Sequence, residues 1–203
     1  MVDFLPTNPA RPPACPCGSS TADRRAHTTR HMRWAEGQPI PVPLASSWPL
    51  GTLAVVTTAS PARWRWLAYE TAEVARRAGG YDAASFPAPS GQRRPDAENT
   101  RALLYRHGDL VAGYLVLVDV QTAGRYDLAA GQSTDAGAGE VRPTVGLVFV
   151  AYHLRRAGIG RALVQAAAEL AHVAPSGLAW WSPLTDDGAA LARAVGGQGV
   201  WVA

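Results

Sequence analysis

The sequence predicts an α/β (α+β) domain, a central mixed β-sheet flanked by helices, preceded by a small segment with metal-ligand spacing. Three observations carry this. Residues 145–150 (Val-Gly-Leu-Val-Phe-Val) form a continuous apolar, β-branched-rich run, the pattern of a strand covered on both faces. From Ile159 the apolar period changes, and Leu163, Ala166, Ala167, Leu170 and Val173 recur on one helical face. Around this β–α step the chain reads as strand and helix, then hairpin, then a closing strand, helix and strand.

Composition bounds the rest. A chain of 203 residues can build one sizeable core with a small appendage. Apolar residues at 47% and charged residues at 17% exclude a disordered chain. No run approaches a membrane span, and the first residues lack the apolar core of a signal peptide, so an intracellular, cytoplasmic protein is expected. The net charge of +3 is too modest to imply a nucleic-acid partner, and all 19 basic residues are arginine.

Residues 1–14 are proline-rich without periodicity and are expected to be a tail. Cys15-Pro-Cys17 follows, then His27 and His31, within a finger-like segment 15–37. Histidines at i and i+4 share one helical face, suiting one tetrahedral zinc completed by two thiolates. A Cys15–Cys17 disulfide is the rival reading, and its small ring is strained. With four protein ligands such a zinc would be structural, and its binding free energy would organise a segment too small to fold alone. Arg24, Arg25, Arg30 and Arg33 could face nucleic acid or an acidic partner, or be a solvated face; interleaved aromatics for stacking are nearly absent.

Residues 38–49, with four prolines, read as a linker or extended crossing, and 50–203 as the main domain. A first strand is expected at 53–58. A helix then starts behind Pro61 with Ser60 as N-cap, and Gly79 and Gly80 close it. Residues 81–99 read as loop. Residues 101–106 and 110–118 flank His107-Gly108-Asp109 as a hairpin. The Gly/Ala/Asp-rich stretch 121–143 reads as a loop near substrate or a spacer. A strand at 178–182, a helix capped by Thr185 or Asp186 and ended by Gly196 and Gly197, and a strand at 200–202 complete the chain.

Arg155-Arg156-Ala157-Gly158-Ile159-Gly160-Arg161 lies between the 145–150 strand and its helix. Glycines at a helix start let a ligand approach the backbone, and the free N–H groups attract anions, so a phosphate or pyrophosphate site is expected. The stretch lacks the third glycine of a dinucleotide fingerprint and the Gly-Lys-Ser/Thr of a P-loop.

Arg155-x-x-Gly158-x-Gly160 behind a buried strand resembles the acetyl-CoA motif of the general N-acetyltransferase (GNAT) superfamily. Within it, the chain is most similar to the cohesion-establishment lysine acetyltransferases. They too carry a Cys/His finger and a "Val-Val-Thr…Ser-Pro" step, matched at Val55-Val56-Thr57 and Ser60-Pro61. Their C-terminal Ser-x-x-Thr-x-Asp-Gly and Gly-x-Gly are matched by Ser182 to Gly188 and Gly197-Gln198-Gly199.

The resemblance implies a GNAT-like fold and transfer of acetyl from acetyl-CoA to an amine, a protein lysine, a protein N-terminus or a small molecule. Backbone groups of Val148, Phe149 and Val150 would hold the pantetheine arm. Amides and side chains of Arg155, Arg156, Ala157, Gly158, Ile159, Gly160 and Arg161 would hold the pyrophosphate. Because the chain has no lysine, it cannot acetylate its own side-chain amines.

Three family positions depart from the pattern. Gly146 stands where a serine is expected, Gln165 where an acid is, and Pro183 where an aspartate is. Deprotonating a lysine-like amine at pH 7 costs about 4–5 kcal/mol, so a base is sought. Glu140, just before the motif strand, ranks first, ahead of Asp119, His153, Asp186 and Asp187; Ser182 could donate to the leaving thiolate. The lost polar groups also keep open a non-catalytic module that binds acetyl-CoA or a partner. Cys15 has no Cys-His-Asn/Asp constellation to make it a nucleophile.

Overall fold

The computed structural model describes residues 15–18, 23–81, 86–89 and 99–203. The expected tail 1–14 and much of the loop 81–99 lie outside the described residues. At the centre is a hairpin of β3 (Arg101–His107) and β4 (Leu110–Gln121), turned by Gly108 at φ 61°. Alternation divides its side chains between two cores. Leu104, Tyr114 and Val116 face one, while Leu103, Leu115 and Leu117 face the other. A strand buried on both faces needs apolar residues at every position, and 110–118 supplies them.

Flanking strands extend this hairpin into one mixed sheet. On one side lies β2 (Leu53–Thr57). On the other follow β7 (Val141–Val150), β8 (Ala179–Trp180), β9 (Gly199–Val202), β5 (Gly124–Asp127) and β6 (Gln132–Thr134); β1 (Gln38–Pro39) pairs with β4. The pairs β7–β8 and β8–β9 are parallel and the others antiparallel.

Helix α1 (Arg24–Glu36), the short α2 (Val42–Ala45) and α3 (Ala62–Gly79) cover the first core. Helices α4 (Ile159–Leu170) and α5 (Asp186–Gly196) cover the second. Helix α4 sits close to the sheet because β4 has a glycine beneath it. A Cβ on Gly113 would lie 2.6 Å from Ile159 Cγ2 and 3.0 Å from Leu163 Cδ1.

Several expectations from the sequence need correction. The stretch 38–49 is not a free linker. Gln38 and Pro39 pair with Val111 and Leu110, and Ile40, Leu44 and Trp48 are buried. The stretch 121–143 is sheet as well as loop, since β5 pairs with β9 through backbone bonds that need no apolar side chains. Ser60 does not cap α3. Its Oγ accepts from Thr57 N–H at 2.9 Å, and Pro61 occupies the cap position without a side-chain bond. Helix α4 ends at Leu170 rather than carrying Val173, because His172 turns to φ 55° and Val173 N–H returns to Ala168. Strand β8 is only two residues long, which opens the site described next.

Candidate functional site

The two-residue β8 pairs with β7 only at Thr144 and Val145, and its last bond runs from Trp181 N–H to the Val145 carbonyl at 3.0 Å. Beyond that point β7 continues for five residues, Gly146 to Val150, without a partner strand on that side. Register against β4 slips there, with Leu117 opposite Val145 and Val116 opposite Leu147, so Gly146 is the extra residue of a β-bulge. The bulge changes which backbone groups face the opening. The Val150 carbonyl faces it and accepts from Arg155 Nε at 3.4 Å, and by alternation Val148 shares that side.

A cleft of about 830 Å³ fills this opening. One wall is the free edge of β7. Trp180, Trp181 and Leu184 form a second wall, and Ala75, Ala78 and Tyr81 from the end of α3 form a third. Burial raises the Tyr81 phenol above its ordinary pKa, so it stays protonated through neutral pH.

The far end of the cleft is cationic. Arg155, Arg156 and Arg161 line it beside the N-terminus of α4, whose first amides have no preceding carbonyl within the helix. The turn is made by Gly158 at φ 83° and by Arg156, a non-glycine residue at φ 67°. Such strain in a loop is held by its surroundings and concentrates at binding sites. From the N-terminal turn of α5, Asp187 reaches Arg156 Nη2 at 2.9 Å and Arg155 Nη1 at 3.5 Å. Here a carboxylate occupies the position suited to a ligand anion. An oxyanion would meet two guanidinium groups, a helix N-terminus and a glycine turn that lets it reach the backbone.

The residues expected to bind cofactor therefore come together. Val148, Phe149, Val150, Arg155, Arg156, Gly158, Gly160 and Arg161 line the cleft; Ile159 is buried beneath it and Ala157 is exposed on the turn. Of the catalytic candidates, Glu140, Ser182, Asp119 and His153 do not join them. Glu140 precedes β7, about 16 Å of strand from Val145, and its carboxylate pairs with Arg142 instead. Ser182 is exposed beyond Trp181, outside the lining. Asp119 pairs with Arg101 at 2.9 Å, and His153 is exposed on the turn after β7. Of the acids weighed, Asp186 and Asp187 line the cleft.

The family departures also acquire a geometry. A Cβ on Gly146 would lie 3.3 Å from the Trp181 ring and 3.1 Å from Val116 Cγ1, so the indole packs over the bulge. Gln165 is exposed on α4, and Pro183 is exposed beyond Ser182. Sequence reading missed Tyr81, Trp180, Trp181 and the bulge. Only the one glycine inside the 145–150 run signalled the bulge.

A second cluster lies beside the first core, which includes Cys15 and Cys17. The ligand atoms of Cys15, Cys17, His27 and His31 lie within 4.8 Å of one another. Both cysteines are buried and unbridged, and Cys15 Sγ lies 3.3 Å from His31 Nδ1. Asp23 caps α1 by accepting from Ala26 N–H at 3.0 Å, which sets the helix carrying both histidines. His27 Nε2 is buried with no hydrogen-bond partner. An orphaned imidazole nitrogen facing two thiols is costly unless something binds it. The Cys17 N–H favours the Cys15 thiolate, but burial and the adjacent Cys17 thiol outweigh it and raise the Cys15 pKa. A cation would reverse that balance. The donor set S₂N₂ and its spread fit one tetrahedral metal ion with bonds of about 2.0–2.3 Å.

In fold the chain is similar to two structures of the xEco2 acetyltransferase domain. The one bound to a CoA conjugate is 19% identical, covering 75% of this chain and 91% of that chain with a TM-score of 0.58. The other is 18% identical, covering 74% and 89%, with a TM-score of 0.54. The fold is thus that of the GNAT acetyltransferases. No family model matches the chain, and no curated protein matches it in sequence. No helix among the described residues is long and apolar enough to cross a membrane.

Proposed function

We propose that the chain is an acetyl-CoA-dependent N-acetyltransferase. One observation carries the reading: a strand edge left open from Gly146 to Val150 leads straight into an arginine-lined helix N-terminus. Acetyl-CoA needs both features. Its pantetheine arm carries amides that can pair with an open strand edge, and its pyrophosphate needs cations and free N–H groups. Arg155 and Arg156 hold the pyrophosphate after exchanging Asp187 for it. The amides of Gly158 to Arg161 approach it from the helix start, and Val148 and Val150 hold the arm. The thioester then lies at the bulge, beside Trp181.

An amine, from a protein lysine or a small molecule, attacks the thioester carbonyl. A C–N bond forms, the C–S bond breaks, and CoA leaves as the thiol after proton transfer from the amine. Glu140 and Ser182 lie outside the cleft, so neither is carried into this scheme as base or donor. The reacting end is lined by Gly146, Leu147, Val148, Trp181 and Leu184. Such a site admits the neutral amine, and turnover should rise with pH toward the acceptor's own pKa. Zinc held by Cys15, Cys17, His27 and His31 would be structural, leaving no open coordination position.

The test is acetyl-CoA-dependent thiol release over a panel of lysine peptides, free N-terminal peptides and small amines, with the acetylated product identified by mass. Turnover weakened by Arg155→Ala supports the proposal. Tight acetyl-CoA binding without turnover on any acceptor would favour the non-catalytic module, which the lost polar groups at Gly146, Gln165 and Pro183 also favour. Absence of both acetyl-CoA binding and turnover would refute the transferase and a module that binds acetyl-CoA alike.

A further inference from the structure

A continuous file of rings joins the Cys/His cluster to the arginines of the cleft. His31 and Trp34, one turn apart on α1, have ring centroids 5.2 Å apart. Trp34, only 6% exposed, stacks on Tyr152 at 4.7 Å with an interplanar angle of 22°. Tyr152 begins the single 3₁₀ turn (Tyr152–Leu154) that leads from β7 to the arginines, and the Arg155 guanidinium lies 5.6 Å from its ring. Arg155 in turn bonds the Val150 carbonyl and reaches Asp187. The cysteine turn makes a second contact, where Gly18 packs against the end of α3. A Cβ there would lie 2.2 Å from the Arg77 carbonyl oxygen, two residues before the cleft-lining Gly79. The cysteine turn and α1 therefore pack against two elements that lead into the cleft, the end of α3 and the turn before Arg155.

Neither end of this file is self-supporting. Helix α1 buries only Trp34 and Ala35, and 13 residues are marginal as an isolated helix. The 3₁₀ turn is three residues long, with internal bonds from Leu154 N–H to Ala151 at 2.9 Å and Arg155 N–H to Tyr152 at 3.3 Å. Tyr152 is half exposed, so its ring is fixed by Trp34 on one side and Arg155 beyond it rather than by enclosure. A cation on His27 and His31 would fix α1, α1 would fix Trp34, and Trp34 would fix the turn that aims Arg155.

We infer that Trp34 and Tyr152 are positioning residues for acetyl-CoA, and that they couple zinc occupancy of the Cys/His cluster to affinity in the cleft. The inference rests on the proposed acetyl-CoA reading. It is tested by calorimetric titration of acetyl-CoA into the full chain, zinc-loaded and after zinc removal by chelation. Tyr152→Ala should weaken binding about three- to tenfold, the scale of a lost aromatic pair. Tyr152→Phe, which keeps the stack, should bind as wild type does. Zinc removal should weaken wild-type binding similarly, reversibly on zinc return, and should add little in Tyr152→Ala.

Trp34→Phe serves as a second variant that keeps a smaller ring in the core, with an intermediate loss expected. A melting curve and ellipticity on each sample separate loss of fold from loss of affinity. Affinity within twofold of wild type in a folded Tyr152→Ala would overturn the inference, as would a zinc effect that simply adds to that of Tyr152→Ala. If zinc-loaded wild type binds no acetyl-CoA, the underlying reading and this inference fall together.

Discussion

Replacing Gly113 by alanine tests how the fold holds the helix that carries the cleft's cationic end. The new Cβ would lie 2.6 Å from Ile159 Cγ2, 3.0 Å from Leu163 Cδ1 and 3.1 Å from Tyr105 Cβ. The leucine methyl can swing aside at little cost. The isoleucine methyl cannot, because a β-branched side chain in a helix has essentially one rotamer and Ile159 is only 5% exposed. Helix α4 must therefore lift at its first turn, and overpacking of this kind costs about 1–3 kcal/mol. For a chain of this size that lowers Tm by about 2–12 °C.

Urea unfolding of Gly113→Ala, Ile159→Ala and the double variant measures the effect directly. Ile159→Ala alone leaves a cavity, but in the double variant the alanine methyl partly fills it. The combined loss should therefore be smaller than the sum of the single losses by about 1 kcal/mol or more. Ile159→Val keeps both γ-carbons, including the clashing γ-methyl, and should give no such relief. Strict additivity, or a Gly113→Ala stability within about 0.5 kcal/mol of wild type, would refute the account of how α4 is seated.

Other perturbations address the remaining parts. Cys17→Ser should abolish stoichiometric zinc and reduce helix signal from α1, read by metal analysis and circular dichroism; a metal-free chain with α1 intact would contradict this. Arg156→Gly relieves a left-handed non-glycine residue, so it should raise stability by about 1 kcal/mol while weakening acetyl-CoA binding. Unchanged stability or unchanged binding would count against the loop's assigned role. The Arg76 guanidinium, hydrogen-bonded to Glu73 at 3.0 and 3.1 Å, holds that carboxyl below its ordinary pKa against the opposing effect of burial, and Arg77 adds to it. That contribution is present above the ordinary carboxylate range and is lost as pH falls through it to the folded-state value. Glu73→Gln should therefore flatten the acid limb of a stability–pH curve, and an unchanged limb would contradict the assignment.

Much of the fold was legible because its elements announce themselves by period. The doubly buried β4 and the last six residues of β7 show as apolar runs, and α4 as a clean change of period at Ile159. Strand β7, expected to be covered on both faces, is instead half-buried at Gly146 to Val148 and at Val150, where it borders the cleft. The cationic turn was legible for the same reason, since glycines and arginines at a strand–helix junction have few other uses. What escaped is set by long-range contact. The stretch 38–49 reads as a linker or an extended crossing, and proline-rich sequence gives no sign that Leu44 and Trp48 will be buried in the first core. Strand β5 is held by backbone pairing to a strand about 75 residues away, which no local pattern encodes. Glu140 was expected near the reacting carbon from its place before β7, yet the length of that strand carries it away from the cleft. Tyr81 and Trp181 meet there only once α3 and β8 are assembled.

The central claim is that the cleft between the free edge of β7 and the start of α4 is an acetyl-CoA site. Titration of acetyl-CoA into the full chain, compared with Arg155→Ala and with the Arg155→Ala/Arg156→Ala pair, tests it most directly. The account predicts one-to-one binding, weakened by the first substitution and weakened further by the second, with an affinity that falls as salt is raised. Binding unaffected by either substitution would place the ligand elsewhere, and no binding at all would contradict the account.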